Sequence, residues 1–344
     1  MDQKGLRYGV LLGGFLQALG TSLRYIACFL GPTWEVYVTL AGQVLASFAM
    51  PFMVNSPPLL SANWFPPSLR TTSTSIAVNA NAMGTAVVYL TAPFIVPSVD
   101  DVPDWNLYVA LFSVVSWAVA FCFRSFSRSG GMQSFTSEVH LGNEYDWGQW
   151  ISAFTHSGFW HTVVVSTLAE CVLNAMSALL GKFLSVAHFS KSEIGIVGAA
   201  FIVSSLVGGQ ILSQYVDKRR NHKMALQVCL LMTAIALATF RLVPKVDANA
   251  TWVSLLFLGG VLGPIKPIVL ELGVECAFPT SEATVAALQQ LCGNFLSAIM
   301  VPGLSMLRRT HVDETGHVPA KYFYASAEWV MVFMTAATFL TFCF

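Results

Sequence analysis

SEIGIVGAAFIVSSLVGGQILSQYVDKRRNHKMALQVCLLMTAIALATF, residues 192–240, holds the pattern that decides the fold. An apolar run over 193–216 meets a charged knot of Asp217, Lys218, Arg219, Arg220 and Lys223, and a second apolar run follows over 223–243. About 20 apolar residues in a helix cross the hydrocarbon core of a bilayer, roughly 30 Å thick. Lipid offers no partner to a bare backbone N–H or C=O, so a run of this length in that solvent must be helical. The stretch therefore reads as two membrane-crossing helices joined by a short charged turn.

Carried outward in both directions, the same template predicts ten transmembrane helices, at 6–29, 34–58, 71–97, 105–123, 160–187, 193–216, 223–243, 252–276, 281–307 and 322–344. One long polar segment, 124–155, rich in Ser and Gly, splits them four plus six. The expected class is all-α, a multi-pass integral membrane protein of the plasma membrane or an organelle membrane. Its expected organisation is an N-terminal helix bundle over 1–123, a cytoplasmic loop over 124–155 and a six-helix C-terminal bundle over 156–344. Composition agrees: 55% of residues are hydrophobic and 10% charged, whereas soluble domains carry about 25% charged residues.

The lipid bilayer is thus one expected partner. Nucleic acid is not, because 18 basic residues balance 18 acidic ones and no Lys/Arg run is interleaved with aromatics. Cys28, Cys122, Cys171, Cys229, Cys276, Cys292 and Cys343 lie singly in apolar runs, which predicts buried thiols rather than disulfides or a zinc site. His156 and His161 stand five apart, off any shared helix face, so no metal is expected. No cofactor motif and no nucleophile–base set occurs, and the expectation is a protein that is not an enzyme. The sequence leaves the oligomeric state open. Polar Gln17, Thr21, Ser22 and Arg24 make the first run a helix rather than a signal peptide.

Counting Lys and Arg in the loops orients the chain with its start in the cytoplasm: nine inside (Lys4, Arg7, Arg70, Arg124, Arg128, Lys218, Arg219, Arg220, Lys223) against five outside. The acidic loop at 97–105 and the sequon Asn249-Ala250-Thr251 then fall outside. Arg308 and Arg309 run against the count, with Asp313 and Glu314 near enough in sequence to offset them.

Within the apolar runs, LGPIKPIVLELGVECAFP (262–279) stands out for carrying Lys266, Glu271 and Glu275. A charge at the bilayer centre costs roughly 2.5–3.5 kcal/mol even on insertion scales, so each needs a partner or a water-filled cavity. At about 100° per residue Glu271 and Glu275 share a helix face, whereas Lys266 lies roughly 140° from Glu271. Two readings stand. Either the carboxylates face a cavity or cytoplasmic gate, neutralised by Arg70 and the cluster Lys218, Arg219, Arg220, or Glu275 is an interfacial anchor reaching out of the lipid. Gln289 and Gln290 lie mid-helix, as do Asn81 and Asn174, and interhelical hydrogen bonding is the alternative to a cavity role for each.

Three motifs bring a resemblance. The loop GGQILSQYVDKRRNHK (208–223), with Asp217 ahead of a basic run, resembles the cytoplasmic loop between the second and third helices of each half of the major facilitator superfamily. Asp2-Gln3-Lys4-Gly5-Leu6-Arg7 is similar to the form of that loop in the feline leukaemia virus subgroup C receptor family. Trp64-Phe65-Pro66 followed by Arg70, and Glu271, Glu275, Cys276, Phe278 and Pro279, match two further signatures of that family.

The resemblance implies alternating-access transport of a small organic solute, with choline, ethanolamine, haem or vitamin-like compounds as candidates. It implies a substrate role for Gln290 and Asn81, and gating roles for Asp217, Lys218, Arg219, Arg220, Arg70, Glu271 and Glu275. Asn174 falls where the family has an aromatic partner for the cationic substrate, and Met50 where it has a glutamine, which argues against choline. The loop position of residues 2–7 further implies that the first two of twelve helices are missing here. The alternative is a non-transporting membrane protein that acts as regulator or receptor-like partner.

Overall fold

The computed structural model describes residues 5–66, 68–122, 157–184, 189–242, 248–278, 280, 282–309, 322–323 and 325–343. Asp2, Lys4, the loop 124–155, His156, Pro279, Asp313 and Glu314 lie outside the described residues. The elements are α1 (Gly5–Ala27), α2 (Pro32–Val54), α3 (Ser56–Trp64), α4 (Arg70–Ile95), α5 (Val102–Ala120), α6 (Ser157–Leu184), α7 (Lys191–Arg219), α8 (His222–Leu242), α9 (Ala248–Leu262), α10 (Ile265–Cys276), α11 (Glu282–Met306) and α12 (Ala325–Cys343). A two-residue antiparallel ladder pairs Arg308 with Phe323 and Arg309 with Tyr322; the class remains all-α.

Eight spans among the described residues are long and apolar enough to cross a membrane. Two of them are broken helices. Pro57 and Pro58 cannot supply backbone N–H groups, so the chain turns at Asn55 and α3 continues the span begun by α2. Gly263 and Pro264 interrupt the span Ala248–Cys276 between α9 and α10 in the same way. The other two expected crossings differ in quality. α4 begins RTTSTS and buries Thr71, Ser73, Thr74 and Ser75, so its outer turns carry a polar face; α12 offers a shorter apolar stretch, Ala327–Cys343.

The turn in the deciding stretch has a local cause. Ser190 and Glu193 form a capping box at the start of α7, with Glu193 N–H donating to Ser190 Oγ at 3.2 Å and Ser190 N–H to the Glu193 carboxylate at 2.7 Å. At the other end Arg220 adopts φ 56°, the left-handed conformation that stops a helix, and its N–H closes on Val216 O at 2.7 Å. α8 starts two residues later.

α1 packs on α2 and α5; α6 packs on α10, α11 and α12; α8 packs on α9, α10 and α12. The densest core lies in the second set, where Phe183 meets Phe240 edge-on at 6.2 Å and Leu179, Leu226, Leu230 and Leu258 are fully buried. The two sets meet chiefly where α4 runs along α7. A side chain at Gly195 would come within 2.5 Å of Tyr89 O, so only glycine lets these two backbones approach so closely. Tyr89 then bridges onward, its hydroxyl donating to Ser177 O on α6 at 2.6 Å.

Candidate functional site

Two polar clusters sit inside this apolar frame. The first joins α4 to α7 and α10. Asp217, last but two in α7, accepts from both the N–H of Thr72 at 2.8 Å and the Thr72 hydroxyl at 2.5 Å. Glu271, buried on α10, accepts from the Thr74 hydroxyl at 2.5 Å. Higher along the same seam Asn79 donates to Leu206 O at 3.3 Å. Arg70 heads α4 within electrostatic reach of Glu271, together with Asp217 and Glu275, and its Nε is buried without a hydrogen-bond partner among the described residues. Its backbone carbonyl accepts from Ser61 at the end of α3, at 2.9 Å.

The immediate partners of the two carboxylates are therefore threonines of α4, a residue type that the charge-based reading passed over. Glu275, one turn beyond Glu271, is on a different footing: its side chain is 53% exposed and its carboxylate lies 3.9 Å from His222 Nδ1. It borders a cleft of about 420 Å³ shared with Arg220, His222 and Lys223. Lys218, Arg219 and Arg220 are exposed and have no ion-pair partner among the described residues.

The second cluster lies deeper and centres on a carboxylate that the sequence reading missed. Glu170, at the midpoint of α6, is 8% exposed and forms an ion pair with Lys266 Nζ at 2.8 Å. Gln290 of α11 completes a triangle: its Oε1 accepts from Lys266 at 3.0 Å and its Nε2 donates to Glu170 at 3.0 Å. Gln290 Nε2 also donates to Asn294 Oδ1 at 3.1 Å, and Asn174 Nδ2 donates to Ser297 Oγ at 3.1 Å while standing beside Glu170. Lys266 lies ten residues before the end of α10, about 15 Å along the axis, which is half a hydrocarbon core. Gly293 makes the contact feasible, since any side chain there would meet Glu170 Cβ at 2.8 Å.

Of the residues singled out for substrate, Gln290 and Asn174 meet in this cluster. Gln289 turns away, fully buried, with its Nε2 on Thr162 Oγ1 and Val269 O at 3.3 Å each. Asn81 is exposed on α4 and does not reach the triad. Lys266, which helical spacing had separated from Glu271, has its partner on another helix. The one signal for Glu170 was its place as the single carboxylate in the run 160–187. Among the described residues no group of three His, Cys, Asp or Glu side chains has metal-binding geometry.

Residues 1–302 match the family described as Major Facilitator Superfamily. The chain is 28% identical over 313 residues to solute carrier family 49 member A3 of Danio rerio, covering 87% of this chain and 64% of that protein. It is 22% identical over 358 residues to choline/ethanolamine transporter FLVCR2 of Homo sapiens, covering 99% of this chain and 65% of that one. The chain spans about three fifths of the length of the curated relatives it matches. Among solved structures, the E. coli fucose:proton symporter FucP superposes with a TM-score of 0.69 at 12% identity, over 100% of this chain and 84% of that one. The proton:xylose symporter XylE bound to 6-bromo-6-deoxy-D-glucose gives 0.70 at 14% identity, over 98% and 80%. At such identities the likeness concerns the fold.

Proposed function

The chain belongs to the Major Facilitator Superfamily, and from that premise we propose that it moves a small organic solute across a membrane by alternating access. The observation that carries this reading is the seam of hydrogen bonds from α4 to α7 and α10: Thr72 to Asp217, Thr74 to Glu271 and Asn79 to Leu206 O. Two of the three end on carboxylates, and a hydrogen bond to a charged group contributes about 1.5–3 kcal/mol. A closure held by a few such bonds is reversible, as rocking of two helix bundles around a midplane site requires. Arg70, Lys218, Arg219 and Arg220 supply positive charge along the same edge, and Glu275 reaches the cleft beside it. The midplane site is the cluster of Glu170, Lys266 and Gln290, with Asn174 at its border. Relatives named as choline/ethanolamine transporters favour an organic solute over the reading as a non-transporting partner.

Spin labels at Leu69→Cys and Lys218→Cys, in a background without the native cysteines, would report the seam by pulsed dipolar spectroscopy in lipid nanodiscs. Two distance populations are expected, and Glu271→Ala or Asp217→Ala should move the balance toward the longer one by about thirtyfold, the equivalent of about 2 kcal/mol. A single narrow distance that neither substitution alters would defeat the proposal.

A further inference from the structure

Two members of the deep cluster fix the direction of the hydrogen bonds around it. A lysine ammonium only donates and a carboxylate only accepts. Gln290 therefore presents its Oε1 to Lys266 and its amide nitrogen to Glu170. The second proton of that nitrogen goes to Asn294 Oδ1, which commits the Asn294 oxygen. Ser297 Oγ accepts from Asn174. Both Glu170 oxygens, Gln290 Oε1, Asn294 Oδ1 and Ser297 Oγ thus each have a donor.

Donors are left over. Among the described residues the third N–H of Lys266 and the amide N–H groups of Asn294 have no acceptor. The anion is also the better covered of the pair, with 10% of the Glu170 side chain exposed against 25% for Lys266. A solute reaching this point meets an ammonium and an amide, with the carboxylate already engaged behind them.

We infer that the site takes its solute by a carboxylate group, received by Lys266 and Asn294. The inference deepens the transport reading and rests on it. It separates this chain from the relatives named for choline and ethanolamine, which are cations. A trimethylammonium head finds the one carboxylate of the cluster already paired with Lys266, and an alcohol hydroxyl can take a leftover N–H but brings no charge to the ammonium. A carboxylate finds both a cation and unfilled donors, and a bond between two ionised groups is the stronger kind.

Matched probes test this. Glycine betaine and choline share a trimethylammonium group and differ in carboxylate against hydroxymethyl; glycine and ethanolamine differ in the same way. Binding of each to the full chain in nanodiscs, measured by calorimetry, should be at least ~10-fold tighter for the carboxylate of each pair. Propionate should compete with both carboxylates. Lys266→Met alone strands the Glu170 charge and risks misfolding, so the test variant is Lys266→Met with Glu170→Gln, in which the preference should fall below about threefold. Lys266→Arg should keep it, and should the double variant not fold, that variant and the wild type decide. Equal binding within a pair, tighter binding of the alcohols, or no binding of any carboxylate overturns the inference. If the spin-label distances still show two populations in that case, the substrate class alone is wrong; a single population would remove the transport reading itself.

Discussion

Glu271 and Glu275 are one helical turn apart on α10, yet one is 8% exposed and bonded to Thr74 while the other has a side chain 53% exposed. Alanine should therefore act differently at the two. Glu271→Ala should lower the maximal uptake rate by up to about thirtyfold, the effect of losing about 2 kcal/mol from one of two exchanging states, with the amount of protein in the membrane unchanged. Glu275→Ala should change the rate less than twofold, a loss of about 0.4 kcal/mol or less at an exposed carboxylate. Gln290→Ala should instead raise the half-saturating concentration, because Gln290 orients Lys266 at the site. All three are read by uptake of the solute identified in the binding assay, normalised to surface protein. Gln289→Leu is the counterpart: two interhelical bonds disappear, so the thermal midpoint should drop by the equivalent of about 1 kcal/mol with half-saturation unaltered. The sequence marked Gln289 and Gln290 together, and a step of 100° sends the first between α6 and α10 and the second to the ion pair. Glu170 escaped notice because its partners stand 96 and 120 residues away, far beyond what helical periodicity relates.

At the scale of elements, most helices follow from the length of their apolar runs, because lipid leaves the backbone no other way to satisfy itself. The breaks do not follow. An apolar run is continuous through Asn55 and through Gly263-Pro264, so hydropathy merges what the backbone divides, although Pro57, Pro58 and Pro264 mark both places. The seam between α4 and α7 was equally hidden, since it depends on which helices are neighbours. It is open to a simple test. Gly195→Ala places a methyl within 2.5 Å of Tyr89 O and 2.9 Å of Pro93, so the thermal midpoint in detergent should fall by the equivalent of about 1–3 kcal/mol. Gly84→Ala is the control: nothing lies within 4 Å of the added methyl, and better helix propensity should leave stability equal or slightly higher.

For the molecule as a whole, the loop charge count predicts a cytoplasmic start of the chain and puts Asn249, which is exposed, on the far side as a testable expectation. Asn249→Cys, in a background free of other cysteines, should react with an impermeant maleimide added outside intact cells; labelling only after permeabilisation would reverse the orientation. Composition alone was enough to assign the chain to a membrane, since 55% hydrophobic residues cannot all be hidden in a soluble core of this size. Which polar residues meet across the two helix sets was not legible, because that is decided by packing between segments remote in sequence. One consequence follows from the break before α10. Lys266 and Glu271 ride on a single twelve-residue rod, five residues or about 7.5 Å apart, with Gly263-Pro264 at its upper end as a fulcrum. In the proposed transport cycle, tilting that rod would move both charges at once, so a pull on Lys266 from the solute side would reach the Thr74–Glu271 bond as strain and tie the grip on the solute to the release of the closure.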